Sequence, residues 1–420
     1  MEPVKLVMVG HVDHGKSTLI GRLFLDTGSL PHDMLEELKK QSTDDGHAID
    51  YASVVDSLQE EREQGITIDT TQRFFSYHER DYVIIDAPGH VEFIKNMITG
   101  ASQADAAVLI VDASLGWQEQ SGRHAYILSL LGITQVIVVL NKMDLIDFNQ
   151  MRFEELKQVI ATYLATINIS AQAYIPISAI QGDNIVRPST HMPWYKDRTV
   201  CDALNACSVR SQPMADHVLF PVQDVYTVGS SKVSVGRVEA GSLRVNQPVR
   251  IFPERHQTSI RTIQKFNQQL QTASKGESIG ITTDNHRIPH RGHVVCDEAY
   301  EPLFTDIFAA TVFWFGSESV VCRERITIRC STQEIWCCIE AIKKRIDSST
   351  IEVIEYDADR LHELDIGKVT VRLEHPIIVQ PLNQASELGR FVLIRNGHVC
   401  AAGMVTGIED QTVLNQINSV

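Results

Sequence analysis

Five apolar runs punctuate the N-terminal half of the chain: "VKLVMVG", "YVIIDAPG", "AAVLIVDA", "QVIVVLNK" and "AYIPISAI". Each gathers Val, Ile or Leu with little polar interruption. Such runs suit strands buried on both faces, hence a parallel sheet covered by helices. Between them, "GKSTLIGRLFL", "HVEFIKNMITGA", "GRHAYILSLLG" and "MRFEELKQVIATYL" space their apolar residues at helical period, with Gly132 where a helix stop belongs. The alternation predicts a doubly wound α/β domain. Near "SVRSQPMADH", 208–217, the pattern changes to short alternating segments such as "KVSVGRVEAGSL" and "PVRIFP", divided by Gly, Pro and Asn. Those segments predict β-barrels, and the length accommodates two, joined near "DEAYEPLFTD", 297–306. The expected domains are 1–208 (α/β), 214–298 and 302–408 (barrels), with a tail at 409–420. No internal repeat or low-complexity segment is evident.

Composition changes this picture in three places. A hydrophobic share of 43% and a charged share of 22% over 420 residues are those of a soluble multidomain protein. No run approaches the roughly 18–20 apolar residues that span a bilayer, and "MEPVKLVMVG" lacks a basic region and cleavage site. A cytoplasmic protein without a membrane partner is expected. The net charge of −15 weighs against a nucleic-acid partner, because phosphate neutralisation needs a basic surface. "KKR" at 343–345 and Arg250, Arg255 and Arg261 are the basic features, and they read as solvated faces. The eight cysteines have no CxxC spacing and are expected as reduced thiols, several packed as small apolar residues.

The chemistry concentrates at the ends of the apolar runs. "GHVDHGKST", 10–18, follows the first strand and opens a helix. Gly10 and Gly15 let the backbone of Val12, Asp13 and His14 wrap a phosphate, with Lys16 on the β- and γ-phosphates. Ser17 can ligate Mg²⁺, and Thr18 completes the loop. Asp86, at the end of "YVIID", is a second magnesium-side group, and Gly89 can offer an amide to the γ-phosphate. Thr67, in "QEEREQGITIDT", could complete the Mg²⁺ shell on a segment that hydrolysis releases. "NKMD", 141–144, selects guanine: Asp144 can accept from N1 and N2, a donor pair that adenine lacks. Asn141 is expected at the base edge and loop, and the Lys142 stem over a ring face. Ser178 and Ala179, in "ISA", are placed to present an amide to guanine O6. GTP and GDP, with Mg²⁺, are the expected cofactors.

Together "GHVDHGKST", "EREQGITID", "DAPGH", "NKMD" and "SA" resemble the translation-factor class of GTPases, with its G domain and two barrels. The resemblance covers nearly the whole chain. It implies that His90, after DxPG, orients the attacking water, and that Val12 and Ile66 gate it. It makes His90, Lys16, Thr67 and Gly89 the candidate catalytic group.

Two relatives within the class fit. "FIKNMITGASQAD" looks like elongation factor 1-alpha, which delivers aminoacyl-tRNA. "GRHAYILSLLGI", "GDNIVRPSTHMPWY", "STLIGRL" and "TVFWFGSESVVCRERITIRCSTQEIWCCIEAIKKRIDSSTIE" look like the GTPase subunit of bacterial sulfate adenylyltransferase. "RCSTQEI" stands where elongation factors usually have a Cys-His-Thr element, and the acidic balance points the same way. The main expectation is therefore a GTPase subunit that couples GTP hydrolysis to adenylyl transfer from ATP to sulfate by a small ATP sulfurylase subunit. An elongation factor binding aminoacyl-tRNA is the alternative. His11 and His14 depart from the sulfurylase pattern, where Ser and Asp are usual. Housekeeping subunit and paralogue serving another nucleotidyltransferase both stay open.

Three features invite other readings. "HRIPHRGH", 286–293, gathers His286, His290 and His293, but Pro289 breaks the helix that would group them for a metal, so it reads as the lead into a barrel strand. "FWF", 313–315, reads as barrel core rather than a base-stacking platform. Cys337 and Cys338 should point to opposite faces of a strand.

Overall fold

The computed structural model describes residues 3–30, 72–86, 97–98, 101, 104–209, 217–229, 231–266, 268–284, 287–381 and 387–407. The chain divides into two compact units, Met1–Ser211 with Ser349–Ile351, and Gln212–Ser348 with Glu352–Val420.

The first unit is built on a six-stranded sheet. Its strands are β1 (Val4–Gly10), β2 (Gln72–Tyr77), β3 (Arg80–Asp86), β4 (Ala106–Asp112), β5 (Val136–Asn141) and β6 (Ala171–Pro176), in the order β2-β3-β1-β4-β5-β6. The five apolar runs are the parallel strands. β2 was not foreseen: it is an antiparallel edge strand whose Phe75 is buried and whose Phe74 is exposed. Among the described residues the helices with defined bounds are α1 (Lys16–Asp26), α2 (Glu119–Leu130), α3 (Gln150–Thr166) and α4 (Val200–Ala206). α1 lays Leu19, Ile20 and Leu23 on Leu6, Met8, Ile84, Val108 and Ile110, giving one fully buried layer. α2 stops as expected: Gly132 takes φ 63, which only a residue without Cβ adopts freely, and Ile133 N–H returns to Leu128 O at 2.9 Å. Because β1 pairs with β3 on one side and β4 on the other, the loop after β1 leaves the sheet where strand order reverses. Ligands bind at that point in open α/β sheets.

The second unit holds two closed six-stranded rings. The first joins β7 (Leu219–Val228), β8 (Ser231–Arg237), β9 (Pro248–Phe252), β10 (His256–Lys265), β11 (Ser278–Thr283) and β12 (Val294–Asp297). Its ring order is β9-β12-β7-β8-β11-β10, closed by β9 on β10. The second joins β13 (Phe304–Trp314), β14 (Ile326–Cys330), β15 (Gln333–Asp347), β17 (Asp365–Ile378), β18 (Arg390–Arg395) and β19 (His398–Gly407), with β16 (Val353–Ala358) added outside the ring on β15. Closure of β14 on β15 completes it. Each ring fills its own interior, the first around Phe220, Ile251 and Ile281, the second around Phe308, Trp314 and Val371. A smaller apolar cluster joins the two rings, with Leu219, Phe252, Val294 and Cys296 from the first and Ile378 and Leu388 from the second.

The architecture is therefore the expected α/β domain followed by two barrels. In "FWF", Trp314 fills the ring interior, and Phe313 is also buried, although it is not among that interior's residues. Cys337 lies in the core and Cys338 is half-exposed, as alternation requires. All eight cysteines are free. His293 immediately precedes β12, and His286 lies outside the described residues. Among the described residues no helix is long and apolar enough to cross a membrane.

Candidate functional site

The phosphate loop is shaped by what its glycines permit. A Cβ on Gly10 would stand 2.5 Å from Ile110 O, so β1 approaches β4 closely only with a hydrogen there. Gly15 has φ 90, and a Cβ on it would meet Asn141 Nδ2 at 2.3 Å. Asp13 also takes positive φ, 61°. The loop therefore turns twice through left-handed geometry before α1 begins. α1 opens with no side-chain cap and no acidic residue in its first turn. Its leading N–H groups and positive dipole end are thus available to an anion.

Lys16 Nζ donates to Gly10 O (2.8 Å) and His11 O (2.9 Å), holding the ammonium inside the loop. Burial lowers its pKa, opposed by the carboxylates of Asp86 and Asp13. Asp86 ends β3 opposite Met8, at the same edge of the sheet as the loop. Ser17 and Thr18 lie half-buried on the first turn of α1. A hydroxyl and a carboxylate are hard oxygen donors, the chemistry Mg²⁺ prefers. Val12 is half-buried in the loop.

His14 is fully buried. Its Nδ1 donates to Ile110 O at 3.2 Å, and burial drives its pKa down to about 4, so the ring is neutral in the fold. His124, on α2, is pushed to about 3 by burial and by Lys16, His11 and His14. Gln120 Nε2 stands 3.2 Å from its Nε2.

The base-side elements are tied to the phosphate loop through Asn141. Its Nδ2 donates to His14 O at 2.9 Å, and its Oδ1 accepts from Ala179 N–H at 3.0 Å. Asn141 is thus a strut between the base-side loops and the phosphate loop, and it accepts from the Ala179 amide. The reason is burial: an amide side chain at 2% exposure must satisfy both ends within the protein. Ser178 is fully buried. Lys142, at φ 63, pairs its Nζ with Asp112 Oδ2 at 2.8 Å. Asp112 is a residue that the sequence reading missed. Burial alone would raise its pKa, but Lys142 and the Ser114 hydroxyl and amide reverse that, and the carboxylate stays charged. Its signal was its place at the end of "AAVLIVD", in register with Asn141. Asp144 lies half-buried in the one-turn 3₁₀ segment Met143–Ile146. The "GDNIVRPSTHMPWY" segment braces the turn after β6: Asn184 Nδ2 donates to Pro176 O (2.8 Å) and His191 Nδ1 lies 3.2 Å from Asp183.

Ile66, Thr67, Gly89 and His90 lie outside the described residues. The described residues nonetheless gather Gly10 to Thr18, Asp86, Asn141 to Asp144 and Ser178–Ala179 at the C-terminal edge of one sheet.

Comparison with known proteins identifies the lineage. Residues 1–223 match the elongation factor Tu GTP binding domain, 231–296 match elongation factor Tu domain 2, and 307–406 match the GTP-eEF1A C-terminal domain-like family. Elongation factor 1-alpha of Methanopyrus kandleri is 37% identical over 98% of this chain and 99% of its own length. Those of Pyrococcus furiosus and Natronomonas pharaonis are 36% and 35% identical, each covering 97% of this chain and 98% of theirs. A crystal structure of Sup35 complexed with GMPPNP aligns over 97% of this chain and 95% of that one, at 21% identity and a TM-score of 0.45.

These relatives overturn the expectation of a sulfate adenylyltransferase subunit, and with it the small ATP sulfurylase partner. The segments that suggested it are structural: Val312, Trp314, Ile326 and Ile328 fill the second barrel, and "GDNIVRPSTHMPWY" braces a turn. Such residues answer to packing and do not identify a partner. The chain belongs to the translation elongation factor family of GTPases, enzymes of the elongation factor Tu type that bind GTP and GDP, use Mg²⁺ and hydrolyse GTP.

Proposed function

We propose that the protein is a translation GTPase that carries aminoacyl-tRNA in its GTP form and releases it after hydrolysis. The observation that carries this reading is the extent of the likeness: 37% identity to an elongation factor 1-alpha over 98% of the chain, both barrels included. The three-domain division at 1–208, 214–298 and 302–408, with the tail at 409–420, belongs to the same reading, as does a cytoplasmic site of action. A net charge of −15 does not stand against it, because the sum says nothing of local surfaces.

In this reading the α1 N-terminus and Lys16 hold the phosphates, and Gly89 adds an amide at the γ-phosphate. Ser17, Thr67 and Asp86 would hold Mg²⁺, which supplies charge neutralisation between the phosphates. His90 orients water for attack, screened by Val12 and Ile66. Asp144 accepts from guanine, while Asn141 keeps the base loop and phosphate loop in one frame. Retention of labelled aminoacyl-tRNA tests the proposal: binding with a non-hydrolysable GTP analogue and loss with GDP is expected. Equal or absent binding in both states would sink it.

A further inference from the structure

Lys344 and Lys368 face each other in direct register on β15 and β17. Cβ atoms of such neighbours lie about 4.5–5.5 Å apart, and like charges there repel. The pairing is not an accident of alternation. β15 carries a register shift between Ile342 and Lys344, leaving Lys343 as the extra residue. Ile342 and its partner Val369 both fill the barrel core, so after the bulge Lys344 joins Lys368 on the outer wall.

Their surroundings supply hydrogen-bonding groups but no countercharge. Lys368 Nζ donates to Thr311 Oγ1 at 2.7 Å, and Thr311 is 1% exposed, so that hydroxyl is held in place. Lys344 Nζ lies 5.5 Å from the ring centre of Tyr356, itself exposed on β16. Among the described residues neither ammonium has a carboxylate within 4.0 Å, whereas every arginine between Phe304 and Gly407 has one. The chain has acidic side chains in excess, 53 against 38 basic, so leaving this pair uncompensated is not forced by composition. Partial burial and the field of Lys344 lower the Lys368 pKa, which an arriving anion would reverse.

We propose that Lys344 and Lys368, the latter held by the Thr311 hydroxyl, form a phosphate-binding site on the outer wall of the second barrel, taking the phosphate group of a small molecule. Two ammoniums match the charge of a dianionic phosphate and offer donors to its oxygens. The Tyr356 ring flanks the space beside it.

The test uses the full chain loaded with GDP and Mg²⁺, so that the nucleotide site is already filled. Thermal unfolding is followed with inorganic phosphate, ribose 5-phosphate or chloride at equal ionic strength. Phosphate is expected to raise the Tm of the parent protein, with its affinity falling about tenfold in Lys344→Gln and in Lys368→Gln. Lys232→Gln, an exposed lysine on the first barrel, should keep the effect. A stronger response to ribose 5-phosphate than to inorganic phosphate would assign the site to a phosphate monoester, and the reverse to free phosphate. In chloride, Lys344→Gln should melt no lower than the parent, because it relieves repulsion. Stabilisation that is absent, or unchanged in both variants, would overturn the proposal. So would loss in the variants of binding to a short single-stranded RNA with no response to either small phosphate.

Discussion

Under the proposed function, Asp144 and His90 carry the sharpest single-residue consequences. Asp144→Asn turns an acceptor into a donor facing guanine N2, so xanthine nucleotides should displace guanine nucleotides as the preferred ligand in competition binding. His90→Ala should leave GTP affinity within about twofold while single-turnover hydrolysis slows roughly 10²–10⁴-fold, the usual worth of a positioned proton-handling group. Unchanged hydrolysis would remove His90 from the chemistry. The buried histidines set a pH dependence. His14 and His124 are held neutral in the fold, at about 4 and about 3, against 6.5 when unfolded. The unfolded chain therefore binds more protons between those values, and stability is full above about pH 6.5 and lost as pH falls toward 4 and 3. Replacing His124 with Gln should flatten that acid limb in urea titrations run at a series of pH values.

At the scale of elements, the nucleotide site depends on loops from β1, β5 and β6 being held in one frame. Asn141→Ala removes two buried hydrogen bonds and strands His14 O and Ala179 N–H, at a cost of about 2–4 kcal/mol. GDP dissociation, followed with a fluorescent analogue, should accelerate in that variant. Gly15→Ala should act similarly, since its Cβ would occupy the place of Asn141 Nδ2 and strain φ 90 besides. The phosphate loop was legible in the sequence because its geometry is local: glycines, lysine and hydroxyl follow one another within nine positions. Asn141 was expected to reach the loop, but its bond to the Ala179 amide, 38 residues away, was not legible. Asp112, the partner of Lys142, was missed for the same reason, standing at the end of a different strand. The β15 bulge left no trace in "IEAIKKRID" because every position there can be read with either phase.

For the whole molecule, period and punctuation were enough to reveal an α/β domain and two barrels, because buried strands and alternating strands differ along the entire chain. Affiliation within the family was not legible in the same way. Segments of the second barrel were given the weight of function although they record how a closed ring is filled, and total charge was asked to name a partner. The apolar cluster joining the rings has a consequence for unfolding. Leu219, Phe252 and Val294 share their burial with Ile378 and Leu388, so neither ring can open without exposing part of the other's surface. Leu388→Ala should cost about 2–5 kcal/mol, and hydrogen exchange should speed up at β7 and β12 as well as at β18. The pair would then melt as one cooperative body, and a lesion in either barrel would be felt in both.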